Sequence, residues 1–387
     1  MIEHIITRWC HPRLTPDRAG AHVLTVGGLG LFWSQMTFRD DLRALFTLRD
    51  SPVRWPIALQ AAIAIGIPAV GFALAGHADL GLLASSGAFT ALYLANRSRR
   101  QRARMLPFVG LGLIASSALG VLGSGSVPLG LAAVFVVVAV SVTLVLGLGI
   151  GPPGALFFAL VAGVSTHLAG PVGIGGAGLD GRLVVGMLGV GAVIAYLVVL
   201  APLVIPAVRR ADAAVFAGRA PVRFRLDGTD RIILGRVIVG AAIAALIAAP
   251  LGVHRAYWVV LTVVVILQNG HTLRLTVHRA AHRVLGTLVG VGVFALVMLL
   301  HPQGAWLGLL LVALQFGVEL VVIRNYGLAL VLITPLALLI SVQASGVDVT
   351  GIVVDRVVDT LLGAAIALVV LLAAFLAQRR AGASVPR

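Results

Sequence analysis

The chain lacks lysine, has a single cysteine and carries few charged residues. Charged side chains make up 11% of its 387 residues, less than half the share of about 25% that is typical of soluble proteins. Cys10 has no second cysteine to pair with, which excludes an intramolecular disulfide and a metal site built on cysteine pairs. The hydrophobic share of 59% and the mean hydropathy of +1.06 exclude an ordinary soluble domain.

Long apolar segments fill most of the chain instead. A helix that crosses a bilayer needs about 20 mainly apolar residues, and twelve segments come near that length. They lie near residues 57–76, 80–95, 105–123, 127–147, 153–168, 182–206, 231–250, 255–271, 283–301, 304–323, 326–342 and 352–377. The sequence therefore predicts an all-α polytopic membrane protein, with about twelve transmembrane helices embedded in a lipid bilayer.

The arginines are distributed unequally between the two sides of this predicted membrane. All 29 basic residues are arginines, and only Arg182, Arg255 and Arg356 fall on one side. Because arginine-rich loops stay in the cytoplasm, the pattern predicts a multi-pass protein of the cell (cytoplasmic) membrane with both termini cytoplasmic. Anionic lipid headgroups account for the net charge of +15, and no nucleic-acid partner is predicted.

Two stretches of similar design divide the chain. With an offset of about 176 residues, Gly76 falls on Gly252 and Gly110 falls on Gly286. Each stretch has six spans, an even number, so the two halves start on the same side and are parallel. The predicted divisions are an N-terminal cytoplasmic tail (1–54) with an interfacial helix near Asp40–Leu48, two transmembrane halves (55–208 and 231–377), a cytoplasmic linker (209–230) and a C-terminal cytoplasmic tail (378–387).

A string of residues in the second half resembles a known family. The string runs through His254-Arg255-Ala256-Tyr257-Trp258, Arg283-x-x-Gly286-Thr287, Thr334-Pro335 and Asp355-Arg356-x-x-Asp359-Thr360. In order and spacing it resembles the fusaric acid resistance protein-like family, which includes the membrane components of aromatic carboxylic acid exporters. The resemblance implies a cytoplasmic-membrane transport protein, often credited in this family with proton-driven efflux. No phosphate-binding loop is present in the sequence, and no cofactor and no enzymatic activity are predicted.

Glu319 is one of two glutamates and lies inside the tenth predicted span. Ionised side chains in hydrocarbon are costly, and burial favours the protonated form of a carboxylate. Glu319 is therefore a candidate proton-coupling residue. The alternative is a structural ion pair with Arg324, Arg283 or Arg236, which lie near the same membrane face.

Arg283 and Thr287 are four residues apart and share one face of the ninth predicted span. A guanidinium is a planar fork that binds a carboxylate through two hydrogen bonds. Both residues are therefore candidates for substrate binding. The alternative is that Arg283 extends to the interface as a topology anchor.

Asp355, Arg356 and Asp359 open the twelfth predicted span. Residues three and four apart on a helix are neighbours, so these charges form either an exit-side gate or a local salt bridge. Asp359 lies deeper than Asp355 and is a second candidate for proton coupling. Arg324, as a potential partner of Glu319, is the salt-bridge candidate at the other membrane face.

Other polar or aromatic side chains at membrane depth are also candidates for contact with the substrate. They are Trp258, Thr262, Gln268 and Thr334. The alternatives are an outer aromatic belt for Trp258 and hydrogen bonds between helices for the others. Pro335 interrupts the eleventh predicted span, and a glycine-rich stretch over 147–154 interrupts the start of the matching span in the first half. Interrupted helices at matching places point to a transport site.

Three functions remain open from the sequence. The first is an exporter of small organic anions, such as aromatic carboxylic acids, that is driven by the proton gradient. The second is a passive anion channel, as a monomer or a homodimer, and the third is a membrane scaffold without transport. An exporter needs a titrating carboxylate in its path, whereas a channel needs only a continuous basic pore.

Overall fold

A computed structural model describes residues 47–51, 54–215, 223–250, 256–268, 273–345 and 349–383. These residues form helices and connecting turns, and none of them is in a β-strand. The predicted all-α class is therefore confirmed for this part of the chain. The predicted interfacial helix near Asp40–Leu48 lies almost wholly outside the described residues.

The helices fall into two sets of six that are separated by a linker helix. The first set is α1 (Trp55–Leu74), α2 (Ala78–Ser85, continued by a 3-10 helix over Ser86–Leu92), α3 (Arg99–Leu122), α4 (Val127–Gly147), α5 (Leu156–Ala169) and α6 (Gly181–Leu200, continued by a 3-10 helix over Ala201–Val204). The linker contains α7 (Pro206–Val215). The second set is α8 (Gly228–Ala248), α9 (Tyr257–Gln268), α10 (Leu273–Met298), α11 (Gly304–Val321), α12 (Tyr326–Ser345) and α13 (Val349–Ala383).

Several helix starts follow directly from the local sequence. Ser98 and Ser126 precede α3 and α4, and each side chain accepts a hydrogen bond from the backbone three residues on. Asp227 and Asp230 form a reciprocal capping box at the start of α8. These side chains satisfy backbone N–H groups that the first helical turn leaves without partners.

By length and composition, eight of the described helices are able to cross a membrane, and four apolar helices are shorter. The short ones are the second and fifth helices of each set: α2, α5, α9 and α12. With 12 residues, α9 is about 18 Å long, whereas the hydrocarbon layer is about 30 Å thick. A straight helix of this length ends inside the protein at membrane depth.

The most extensive contact in the fold joins the two sets, because α1 packs along α11. A Cβ at Gly66 would lie 2.6 Å from Val312, and a Cβ at Gly308 would lie 2.8 Å from Val70. Small residues at these points let the two helices approach closely, as is typical of helix pairs in membranes. The reciprocal pair, α4 with α8, is also in contact.

Packing within the first set is repeated in the second. In both sets the third helix packs on the fifth and the sixth, the sixth also packs on the first and the second, and the first also packs on the second. The fourth and fifth helices are neighbours in both sets as well. Large apolar side chains cover the outer surface of this bundle, for example Leu74, Phe108, Leu122 and Leu246. The chain therefore has the packing and surface of a membrane-embedded, multi-pass protein.

The two ends of α6 provide a test of orientation. Gly173, before α6, and Gly228, at the start of α8, are exposed, and a Cβ at either would meet nothing within 4 Å. In a Cys10→Ser background, a membrane-impermeant maleimide should label Gly173→Cys in intact cells. Gly228→Cys should react only after permeabilisation, because the arginine distribution puts the linker inside. Labelling of both cysteines from the same side would contradict the twelve-span prediction.

Candidate functional site

The short helix α9 lies at the centre of the bundle. Every one of its 12 residues is buried, and it packs against α8, α10 and α13 of its own set and α4 and α5 of the other. Its last carbonyl groups lack partners within the helix, as at any helix C-terminus. Arg236 on α8 donates a hydrogen bond of 2.6 Å from Nη2 to the carbonyl oxygen of Leu267. The positive charge also suits the negative end of the helix dipole.

The first set stabilises the end of its own short helix in the same way but from a different helix. Arg102 on α3 donates from Nη2 to the carbonyl oxygen of Ala91 at 2.6 Å and from Nη1 to Gln60 at 2.9 Å. Gln60 and Arg236 are 176 residues apart, and so are Ala91 and Leu267. The position that supplies the arginine in the second set therefore supplies its hydrogen-bonded neighbour in the first.

Gln268 joins the end of α9 to the interrupted start of α5. Its Oε1 accepts a hydrogen bond of 2.9 Å from the backbone N–H of Ala155. A Cβ at Gly154 would collide with the Gln268 amide, and Gly154 has φ of +70°. Both facts favour glycine at this position. Gln268 was predicted to contact the substrate, and the structure places it at this interruption.

One side of a polar cluster forms where α9 meets α13. The guanidinium carbon of Arg356 lies 3.8 Å from the centre of the Trp258 ring, a cation–π arrangement. Trp258 is 7% exposed, which does not fit the alternative of an outer aromatic belt. One turn further along, a Cβ at Gly363 would lie 2.7 Å from the Cβ of Thr262. Asp359 lies between these contacts on α13 and is fully buried.

The other side of the cluster is formed by α10 and α12. Arg283 donates from Nη1 to the hydroxyl oxygen of Tyr326 at 3.2 Å. Arg283 is 3% exposed, so it does not extend to the interface as a topology anchor would. Further along these helices, a Cβ at Gly290 would lie 2.7 Å from the Cβ of Thr334. Thr287 lies between Arg283 and Gly290 and is also buried.

Electrostatic contact joins the two sides. Arg356 interacts with Arg283, Asp359, Tyr257 and Tyr326. Seven of the eleven predicted site residues therefore converge on one region of the second set, which we call the central cluster. They are Trp258, Thr262, Arg283, Thr287, Thr334, Arg356 and Asp359. Asp355 is half-buried on α13 beside the cluster.

Several polar atoms of the central cluster lack a hydrogen-bond partner among the described residues. They are the hydroxyl groups of Thr262, Thr287 and Thr334, Nε of Arg283, and Nε and Nη1 of Arg356. A buried donor without an acceptor costs about 1–3 kcal/mol, and more when it is charged. Two guanidinium groups face one carboxylate in the cluster. This arrangement favours a ligand that brings negative charge and hydrogen-bond acceptors.

The central cluster lies within the part of the chain that matches a known family. Residues 241–370 match the model of the fusaric acid resistance protein-like family. The predicted resemblance is thus confirmed for the second set, and the matched segment holds all seven residues of the cluster.

Individual relatives match over a similar length. The chain is 33% identical over 123 residues to the uncharacterized membrane protein YvaC of Bacillus subtilis (strain 168), which is 32% of this chain and 20% of that protein. It is 35% identical over 119 residues to the inner membrane protein YccS of Escherichia coli (strain K12), which is 30% of this chain and 16% of that protein. The chain therefore covers a fifth or less of the length of these relatives. No solved structure matches it.

Glu319 lies inside the family segment but outside the central cluster. Its Oε2 accepts a hydrogen bond of 3.0 Å from Nη2 of Arg54, and the two form an ion pair between α11 and the residue before α1. Its partner is thus none of the three arginines named from the sequence. Arg324 is exposed and donates instead to the hydroxyl oxygen of Ser51 at 3.1 Å. Sequence reasoning missed Arg54 because no local pattern brings α1 against α11.

The segment before each set docks on the fourth helix of the other set. The backbone N–H of Arg49 donates to the carbonyl oxygen of Arg324, just after α11, at 3.1 Å. The backbone N–H of Arg225 donates to the carbonyl oxygen of Gly147, at the end of α4, at 2.7 Å. Arg49 and Arg225 are 176 residues apart. The same contact is therefore made twice, once in each direction.

The Arg54–Glu319 pair can be tested by a double-mutant cycle on the protein unfolded in detergent. Arg54→Met or Glu319→Gln should each lower the free energy of unfolding by about 1–3 kcal/mol, because either leaves a largely buried charge without its partner. The double variant should lose much less than the sum. Arg324→Met combined with Glu319→Gln is the matched control and should be additive. Additive losses for Arg54 and Glu319 would contradict the pair.

Proposed function

We propose that the protein is a transporter of the cytoplasmic membrane that exports small organic anions such as aromatic carboxylic acids, driven by the proton gradient. The observation that carries this proposal is the central cluster. It combines two buried arginines, three hydroxyl groups without protein partners and the indole of Trp258. Charged side chains at membrane depth are costly and mark substrate or ion pathways.

The proposal includes twelve spans in two parallel halves, with both termini cytoplasmic. The repeated packing within the two sets supports it, as do the reciprocal contacts of Arg49 and Arg225. The four short helices occupy the second and fifth places of each set. Interrupted helices at matching places of a repeat are typical of transporters that bind their substrate near the middle of the membrane.

The residues of the proposed site have separate roles. Arg283 binds the substrate carboxylate, because its guanidinium offers a fork and its Nε has no acceptor among the described residues. Thr262, Thr287 and Thr334 supply hydroxyl groups, and Trp258 supplies an aromatic surface. Asp359 and Glu319 are the carboxylates available for coupling to protons.

A passive anion channel is the second candidate, and the ion pair of Glu319 favours it. Proton coupling through Glu319 was expected of a carboxylate that alternates between charged and neutral forms. Arg54 already neutralises that charge at 3.0 Å. If the pair is structural, the remaining polar groups of the central cluster form a basic pathway that needs no titrating group.

Transport by the purified protein in proteoliposomes tests the role of Arg283. The wild type should accumulate benzoate when a pH gradient is imposed. Arg283→Lys should reduce the rate about tenfold or more, although its charge survives, because lysine lacks the planar fork. Arg274 is exposed on the same helix, and Arg274→Lys is the matched control. Wild-type rates in Arg283→Lys would contradict the assigned role.

The pH dependence of transport distinguishes the exporter from the channel. Glu319→Gln preserves the size of the side chain but removes its titration. If Glu319 couples protons, uphill uptake in this variant should be lost while downhill exchange of benzoate persists. Asp79, an exposed carboxylate at the start of α2, serves as the control through Asp79→Asn. An unchanged pH dependence in a folded Glu319→Gln protein would contradict coupling at Glu319 and favour the channel.

A further inference from the structure

We infer that the chain has a single anion site, centred on Arg356 in the second set, and that apolar side chains close the matching place in the first set. The inference rests on the proposed function and narrows it in two ways. It makes Arg356 a ligand-binding residue, whereas the sequence suggested a gate or a salt bridge. It also makes one of two similarly packed helix sets a scaffold.

The packing of the sixth helix on the second aligns the two sets residue by residue. In the second set, a Cβ at Gly363 would lie 2.8 Å from the carbonyl oxygen of Val259. In the first set, a Cβ at Gly191 would collide with the carbonyl oxygen of Ala84. Gly363 thus matches Gly191, and Val259 matches Ala84. Counting back along the same helices aligns Arg356 with Val184, Asp359 with Met187 and Trp258 with Leu83.

These three residues of the first set share one apolar cluster. Leu83 and Val184 are 7% and 3% exposed, and they pack with Leu168 and the partly buried Met187. The second set has a cation, a carboxylate and an indole at the corresponding positions. The substitution of one group by the other leaves the surrounding helix packing the same. The difference between the sets is therefore chemical and confined to this contact.

Arg356 has the properties of a carboxylate-binding residue. It is 2% exposed, the Trp258 ring lies over its guanidinium, and Nε and Nη1 have no acceptor among the described residues. Arg283 adds a second positive charge nearby. A small carboxylate would supply two acceptor oxygens to the guanidinium edge, and an aromatic ring on that carboxylate would extend along the indole. The chemical class of the ligand is thus a small, preferably aromatic, carboxylate anion.

Binding to the purified full-length chain in detergent tests the inference. The probe is benzoate, and benzamide is the uncharged control of similar shape. The wild type should bind one benzoate per chain in calorimetric titration and should melt at a higher temperature with benzoate than with benzamide. Arg356→Lys keeps the charge over Trp258 but lacks the fork, so its affinity should fall about tenfold. Arg182, exposed at the start of α6, provides the control variant Arg182→Met.

A second variant guards against loss of folding through the carboxylate that remains when Arg356 is removed. In Arg356→Met with Asp359→Asn, both charges are removed together, and benzoate binding should disappear at an unliganded melting temperature near that of the wild type. Two benzoates per chain, or wild-type affinity in both variants, would overturn the inference. Transport that persists unchanged in the double variant would overturn it and leave the proposed function standing. Arg356-dependent binding without any transport would instead support the site and contradict the proposed function.

Discussion

The need to satisfy backbone groups where helices end inside the membrane governs the rest of this structure. Water is absent from the hydrocarbon layer, so a helix end there must find partners within the protein. α9 ends after 12 residues, and Arg236 and Gln268 supply those partners from outside the helix and at its last residue. Arg102 does the same for the short second helix of the first set. Polar and charged side chains are therefore required at the centre of an otherwise apolar protein.

Polar groups in the same region can also bind a ligand. The helices that surround α9 bring Arg283, Arg356 and three threonine hydroxyl groups to the central cluster, where the protein leaves several of their hydrogen-bonding groups unmatched. Leaving such groups unmatched lowers stability, whereas a ligand with acceptor oxygens would recover part of that cost. The contact between α1 and α11 lies outside this region and uses closely packed glycines, with one ion pair near its end. One interface thus holds the sets together, while the cluster is available for binding.

The sequence predicted the membrane class, the positions of the apolar segments and seven residues of the central cluster. It could do so because hydropathy is a local property and because charges inside apolar segments stand out. The short length of α9 was not predicted, since the residues after Gln268 continue the pattern of an ordinary span. The pairing of Glu319 with Arg54 was missed because it joins residues 265 positions apart. The stacking of Arg356 on Trp258 likewise depends on how α9 and α13 cross, which periodicity within either helix does not fix.

The central claim is that carboxylate anions pass through this protein by way of the central cluster. Charge displacement on a solid-supported membrane tests it most directly, with proteoliposomes that contain the purified chain and a rapid change from benzamide to benzoate solution. The account predicts a transient current with benzoate that saturates with concentration, is absent with benzamide and is absent from liposomes without protein. A benzoate response no larger than that of protein-free liposomes would contradict it.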